Sequence, residues 1–111
     1  DTLREVIADL LQTLNYTVLT ASNGQEALPM IRENAVDLLI TDIVMPEMGG
    51  EELLQTLQAD KETPPAIAIT GYALEEDRET LRTAGFVEII RKPFNGETLA
   101  LVVSRTLADH D

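Results

Sequence analysis

The sequence predicts an α/β domain built on a doubly wound parallel sheet. Helical apolar spacing and short strand-like runs alternate along the whole chain, the pattern of a parallel sheet with helices on both faces. The runs "LLI" at Leu38–Ile40 and "AIAI" at Ala66–Ile69 are continuously apolar, as strands covered on both sides are. Three residues with chemistry to offer, Asp42, Thr70 and Lys92, fall at or just after the ends of different strands. In such sheets ligands gather at those carboxyl ends.

Each element follows from its local pattern. Leu3, Val6, Ile7, Leu10, Leu11 and Leu14 recur at helical spacing and predict a helix over Thr2–Leu14. Tyr16–Ala21 is short and rich in Thr, Val and Tyr, which predicts a strand. A second helix opens at Asn23-Gly24 with Asn23 as its N-cap. Ala27, Leu28 and Ile31 form its inner face, and Pro29 inside it removes a hydrogen bond. Asp37–Asp42 is the next strand. Gly49-Gly50 precedes a helix to about Gln58, with Leu53, Leu54 and Leu57 turned inward. After the break at Thr63-Pro64-Pro65, Ala66–Thr70 is a buried strand. Leu74–Ala84 is a helix capped by Gly85, and Val87–Ile90 a last strand. Lys92-Pro93-Phe94 makes a turn into a closing helix over Gly96–Leu107.

The bulk numbers exclude several classes. A chain of 111 residues fits one domain. Acids outnumber bases 20 to 8, a net charge of −12. Such a surface repels phosphate backbones and argues against direct nucleic-acid binding. With no cysteine there is no disulfide, thiolate metal site or thiol nucleophile, which suits a reducing cytoplasm. No apolar run approaches the ~20 residues that span a bilayer, so no membrane contact is expected.

A carboxylate, a hydroxyl and an ammonium around one point make a phosphoryl-transfer site. Asp42 is the candidate nucleophile, forming an acyl phosphate. Thr70 donates to a phosphoryl oxygen, and Lys92 brings a positive point charge. Singly, each has a bland reading: a turn-forming Asp, a Thr bonded to its own backbone, a solvated loop Lys. Three of them at separate strand ends favour the functional one.

The segments "DLLITDIVMPEMGG", "AIAITGYA", "AGFVEIIRKPF" and "LREVIADLL" are similar to the receiver domain of two-component response regulators over the whole chain. The resemblance implies a flavodoxin-like sheet of strand order 2-1-3-4-5. It implies that Asp42 takes a phosphoryl group from the phosphohistidine of a histidine kinase or a histidine phosphotransfer domain. Thr70 becomes the switch hydroxyl and Lys92 the phosphate-pairing lysine. Asp42 and the backbone carbonyl of Val44 become Mg²⁺ ligands. Pro46 completes the Asp-(x)₃-Pro signature, and Pro93 forms a cis bond with Lys92. "VMPEMGGEEL" and "ITGYALEED" look more like receivers attached to hybrid sensor kinases than like DNA-binding regulators.

Three departures from the family pattern set further expectations. The family opens with a central strand ending in an acid pair that helps hold Mg²⁺; here neither precedes the first helix, and Asp1 matches neither acid. The single domain over residues 1–111 is therefore read as incomplete at its N-terminus. The intact helix register from Leu3 favours a natural chain that extends upstream, over a strand supplied by a partner chain or a rearranged sheet. A strand-exchanged dimer is a further expectation of an open central position. Second, the aromatic switch position is Ile89, which alters coupling to an output face. Third, Val44 and Tyr72 beside the phosphate carry no carboxylate or amide to orient water, which predicts slow loss of the phosphoryl group and no other enzyme activity.

A degenerate receiver acting as a phosphorylation-independent interaction module is the alternative reading. An aspartyl phosphatase of the haloacid dehalogenase type needs a second Asp where Val44 stands. A flavin-binding domain of the same topology finds no visible support. His110 reads as a solvated tail residue.

Overall fold

All strands of the sheet run in one direction. The computed structural model describes residues 2–21, 24–42, 50–60, 64–71, 75–92 and 94–109. The elements are α1 (Thr2–Thr13), α2 (Gly24–Glu33), β1 (Leu39–Asp42), α3 (Gly50–Asp60), β2 (Ala66–Thr70), α4 (Glu75–Ala84), β3 (Glu88–Arg91) and α5 (Gly96–Asp109). The described strands form a three-stranded sheet of order β1-β2-β3. Both pairings are parallel, with Asp42 opposite Ile69 and Thr70 opposite Arg91. These strands match the 3-4-5 part of the expected order.

Strand alternation sorts the core into two sides. Ile67, Ile69 and Ile90 point to one face, where Leu11 of α1 and Leu99 and Val103 of α5 cover them. Ala66 and Ala68 point to the other and meet Leu54 of α3 with Leu81 and Phe86. Small residues on that face let the helices approach closely. Ile31 of α2 packs on Leu53 and Leu57 of α3, extending the second layer. All five residues of β2 are buried, as expected for a strand paired on both edges.

Two helices end in the same way. Gly85 adopts φ +118°; its N–H donates to Arg82 O at 3.0 Å, and the Phe86 N–H donates to Leu81 O at 3.2 Å. This is a Schellman end, completed by Phe86 and Leu81 in one apolar cluster. At the end of α1, Asn15 takes φ 72° and donates to Gln12 O at 3.0 Å, while Tyr16 donates to Leu11 O at 3.0 Å. Asn substitutes for Gly because it tolerates the left-handed region. α5 starts on a side-chain cap: Asn95 Oδ1 accepts from the Thr98 N–H at 2.8 Å.

The structure corrects one element. Tyr16–Ala21, expected as a strand, makes no ladder. A strand needs a neighbour, and no described strand lies beside it. A cavity of about 670 Å³ separates it from the outer edge of β1. Ile7 and Leu11 of α1, Ile31 of α2 and Val103 of α5 line that space from both helix layers. Boundaries also move. β1 begins at Leu39, not Asp37, because the Leu39 N–H makes the first cross-strand bond, to the oxygen of Pro65 just before β2, at 2.9 Å. β3 sits one residue later than Val87–Ile90, and α5 runs on to Asp109. Asn23, the expected cap of α2, lies outside the described residues.

Candidate functional site

Asp42 is the last residue of β1, at the carboxyl edge of the sheet. Lys92 follows the last residue of β3. The chain separates them by 50 residues, yet Lys92 Nζ donates to Asp42 Oδ2 at 2.6 Å. Both side chains are about one-third exposed, so the pair is reachable from solvent. Thr70, buried at the end of β2, lies between their strands. Its main-chain oxygen accepts from the Lys92 N–H at 2.8 Å, which ties the start of the lysine turn to the middle strand.

The three sequence-predicted residues are thus at the carboxyl ends of three adjacent parallel strands. The ammonium has already met the carboxylate. A charge-assisted bond this short fixes the carboxylate's direction as well as attracting it. An ammonium held here is also placed to neutralise charge on a group transferred to Asp42.

Ile89 sits on β3 opposite Ala68 and packs on the α3–α4 side, half-buried. On the same strand, Glu88 Oε2 accepts from Arg105 Nη2 of α5 at 3.0 Å. Val44, Pro46, Tyr72 and Pro93 lie outside the described residues, as do Asp1 and His110. The metal carbonyl, the proline signature and the cis bond therefore remain expectations.

Sequence reasoning passed over Thr41. It is buried, and its Oγ1 donates to the main-chain oxygen of Asp42 at 2.9 Å. The signal available was a hydroxyl inside the apolar run "LLIT", where Val serves packing as well.

The family described as response regulator receiver domain matches residues 1–104. The chain belongs to that family. A polar-differentiation response regulator, DivK of Brucella anthropi, is 33% identical over 107 residues, covering 95% of this chain and 87% of the relative. The sensor histidine kinase RcsC of Salmonella typhimurium is 32% identical over 106 residues, covering 92% of this chain but 11% of the kinase. The solved chemotaxis protein CheY4 of Vibrio cholerae overlays with a TM-score of 0.88 at 29% identity, covering 95% of this chain and 89% of that one.

Receiver domains in general bind Mg²⁺, so the donor set of this one matters. Among the described residues no group of three or more acidic, His or Cys side chains converges. At the strand ends Asp42 is the carboxylate in place, and one of its oxygens already holds Lys92. Mg²⁺ keeps several waters and is commonly held through one or two carboxylates together with phosphate oxygens; among the described residues Asp42 is the carboxylate that this edge offers. Among the described residues, no helix is long and apolar enough to cross a membrane.

Proposed function

We propose that this receiver accepts a phosphoryl group on Asp42 from the phosphohistidine of a histidine kinase or histidine phosphotransfer domain. A carboxylate oxygen of Asp42 attacks phosphorus, the phosphorus–nitrogen bond breaks, and the imidazole leaves with its electron pair and takes a proton. The product is an aspartyl phosphate. Lys92 moves from holding the bare carboxylate to pairing a phosphoryl oxygen. The Thr70 hydroxyl donates to another, and its burial at the strand end restricts where it can point. Water later attacks phosphorus and restores Asp42. That step is slow on this reading, because Val44 and Tyr72 carry no carboxylate or amide to orient water.

The observation that carries this reading is the 2.6 Å contact of Lys92 Nζ with Asp42 Oδ2. Its test is intact mass after incubation with a small acyl phosphate and Mg²⁺, beside an Asp42→Asn control. A gain of one phosphoryl group in the parent and none in the control supports it. A folded parent that gains nothing gives the alternative, an interaction module working without phosphate.

The same reading places the domain in the cytoplasm beside its kinase, and its net charge of −12 keeps it off nucleic acid. The outer edge of β1 supports strand exchange between two copies. Repulsion between two such anions is screened by salt, so sedimentation should show dimers growing with ionic strength. A monomer at all salt concentrations removes strand exchange.

A further inference from the structure

We propose that Asn95 is a positioning residue for Lys92, an inference that rests on the phosphoacceptor reading above. Lys92 Nζ reaches Asp42 Oδ2 at 2.6 Å from a side chain that is 35% exposed. A lysine ammonium rides on a flexible four-carbon stem with much rotamer freedom to lose. Holding it at one point therefore depends on where the backbone starts that stem. Here the backbone is a short turn with an anchor at each end.

The near anchor is β2. The Lys92 N–H donates to Thr70 O at 2.8 Å, directly after β3 ends at Arg91. The far anchor is the start of α5, and Asn95 makes it with two groups. Asn95 Oδ1 accepts from the Thr98 N–H at 2.8 Å, and the Asn95 main-chain oxygen accepts from the Leu99 N–H at 3.2 Å. Leu99 is buried in the cluster that joins α1, β2, β3 and α5, and Phe94 packs against the same cluster. α1 closes on the helix start as well: a Cβ added at Gly96 would stand 3.5 Å from Leu10 Cδ2. The capped turn is thus seated on the core.

Three peptide steps separate Lys92 from Asn95, a span of at most about 11 Å. A connection this short passes a shift of either end to the residues inside it. Without the cap, the first turn of α5 loses the bond at Thr98 and its start frays. The direction in which the chain leaves Lys92 then varies. So do the side-chain rotamers open to Lys92, since these depend on the local backbone angles. Asn95 thereby acts on the ammonium through the backbone. A cap that only stabilised α5 would matter to Lys92 no more than any other stabilising contact, and that difference is measurable.

The test reads the ¹⁵N shift of the Lys92 ammonium and the maximal rate of phosphorylation by a small acyl phosphate with Mg²⁺, both on the whole chain. Asp42→Asn supplies the shift of an ammonium that has lost its carboxylate. Asn95→Ala removes the cap, and Asn95→Ser keeps one. Gly85→Ala strains the backbone before the other end of β3 and is the stability control. Asn95→Ala is expected to move the ammonium shift toward that of Asp42→Asn. It should also lower the rate about twofold to fivefold, the scale of losing one cap. Asn95→Ser should hold both near the parent, and Gly85→Ala should leave the shift in place. An Asn95→Ala protein that keeps the parent's shift overturns the proposal. So does a Ser variant that fails as Ala does, or a Gly85→Ala protein that moves the shift as far. If the parent itself takes no phosphoryl group, the functional reading has failed. The ammonium shift then decides alone whether Asn95 places Lys92.

Discussion

Lys92 Nζ stands 2.6 Å from Asp42 Oδ2, closing a 50-residue loop with one charged contact at the sheet's carboxyl edge. The partners are about one-third exposed, so solvent screens the pair and its contribution to folding is small. On the function proposed above, its value lies in chemistry. Lys92→Met should change stability by less than about 1 kcal/mol. Phosphorylation by an acyl phosphate should fall by about a hundredfold, the scale of removing one preorganised charge-stabilising group. Lys92→Arg should not rescue it, because a planar guanidinium cannot stand in for a compact ammonium at this distance. Thermal unfolding and intact mass on the three proteins separate the effects. Equal losses of stability and phosphorylation would make Lys92 a structural residue.

Gly85 is a position where the backbone resists a side chain and the end of a neighbouring one must move to admit it. Its φ is +118°, and an added Cβ would fall 2.2 Å from Gln58 Nε2. That amide is not idle: it donates to Ala84 O at 3.3 Å and ties α3 to the end of α4. Gly85→Ala should therefore destabilise by at least about 1 kcal/mol in chemical denaturation. In a Gln58→Ala background most of the steric part disappears, Leu54 Cδ2 remaining at 3.3 Å, and the backbone part stays, so the penalty should shrink without vanishing. A penalty that vanishes would assign the whole effect to the clash.

The strand and helix order was legible because its causes are local. "AIAIT" matches β2 at both ends, since an all-apolar run bounded by prolines and a glycine has one way to be buried. Gly85 was legible as a cap for the same reason. Asn15 performs the same task for α1 and was not, because Asn is a weaker and more ambiguous stop signal than Gly. Tyr16–Ala21 has strand composition, but pairing is a property of two segments and composition reports one. At the site, the meeting of Asp42 with Lys92 followed from strand ends lying on one edge. The bond from the Thr41 hydroxyl to the Asp42 main-chain oxygen did not, since a hydroxyl's acceptor depends on the local backbone rather than on the residue type.

Pro29 offers a stabilising change. It lies inside α2, past the first turn where proline is tolerated, and is exposed. Helix geometry would pair the N–H of residue 29 with the carbonyl of Gln25, and proline has none to give. Pro29→Ala should restore that bond without disturbing the buried side of the helix, where Ile31 packs on Leu53 and Leu57. The expected gain is about 1–3 kcal/mol, seen as a rise of several degrees in the melting temperature. An unchanged melting temperature would mean that α2 has already relaxed around the proline.

Hydrogen exchange should divide the chain by pairing rather than by sequence. Ile67 and Ile69 are buried on a strand bonded along both edges, so their amides open only when the domain unfolds. Tyr16–Ala21 has comparable strand propensity but no ladder, and its residues are exposed or half-buried. Its amides beyond Tyr16, whose N–H is held by Leu11 O, should exchange at least about a thousandfold faster than those of β2, given a global stability of several kcal/mol. The contrast is also a sensor for the cavity beside β1. Slow exchange at Val18 and Thr20 in a concentrated sample, reverting on dilution, would show a second copy pairing there. Slow exchange at every concentration would mean that the segment is bonded within one chain, against the open edge described here.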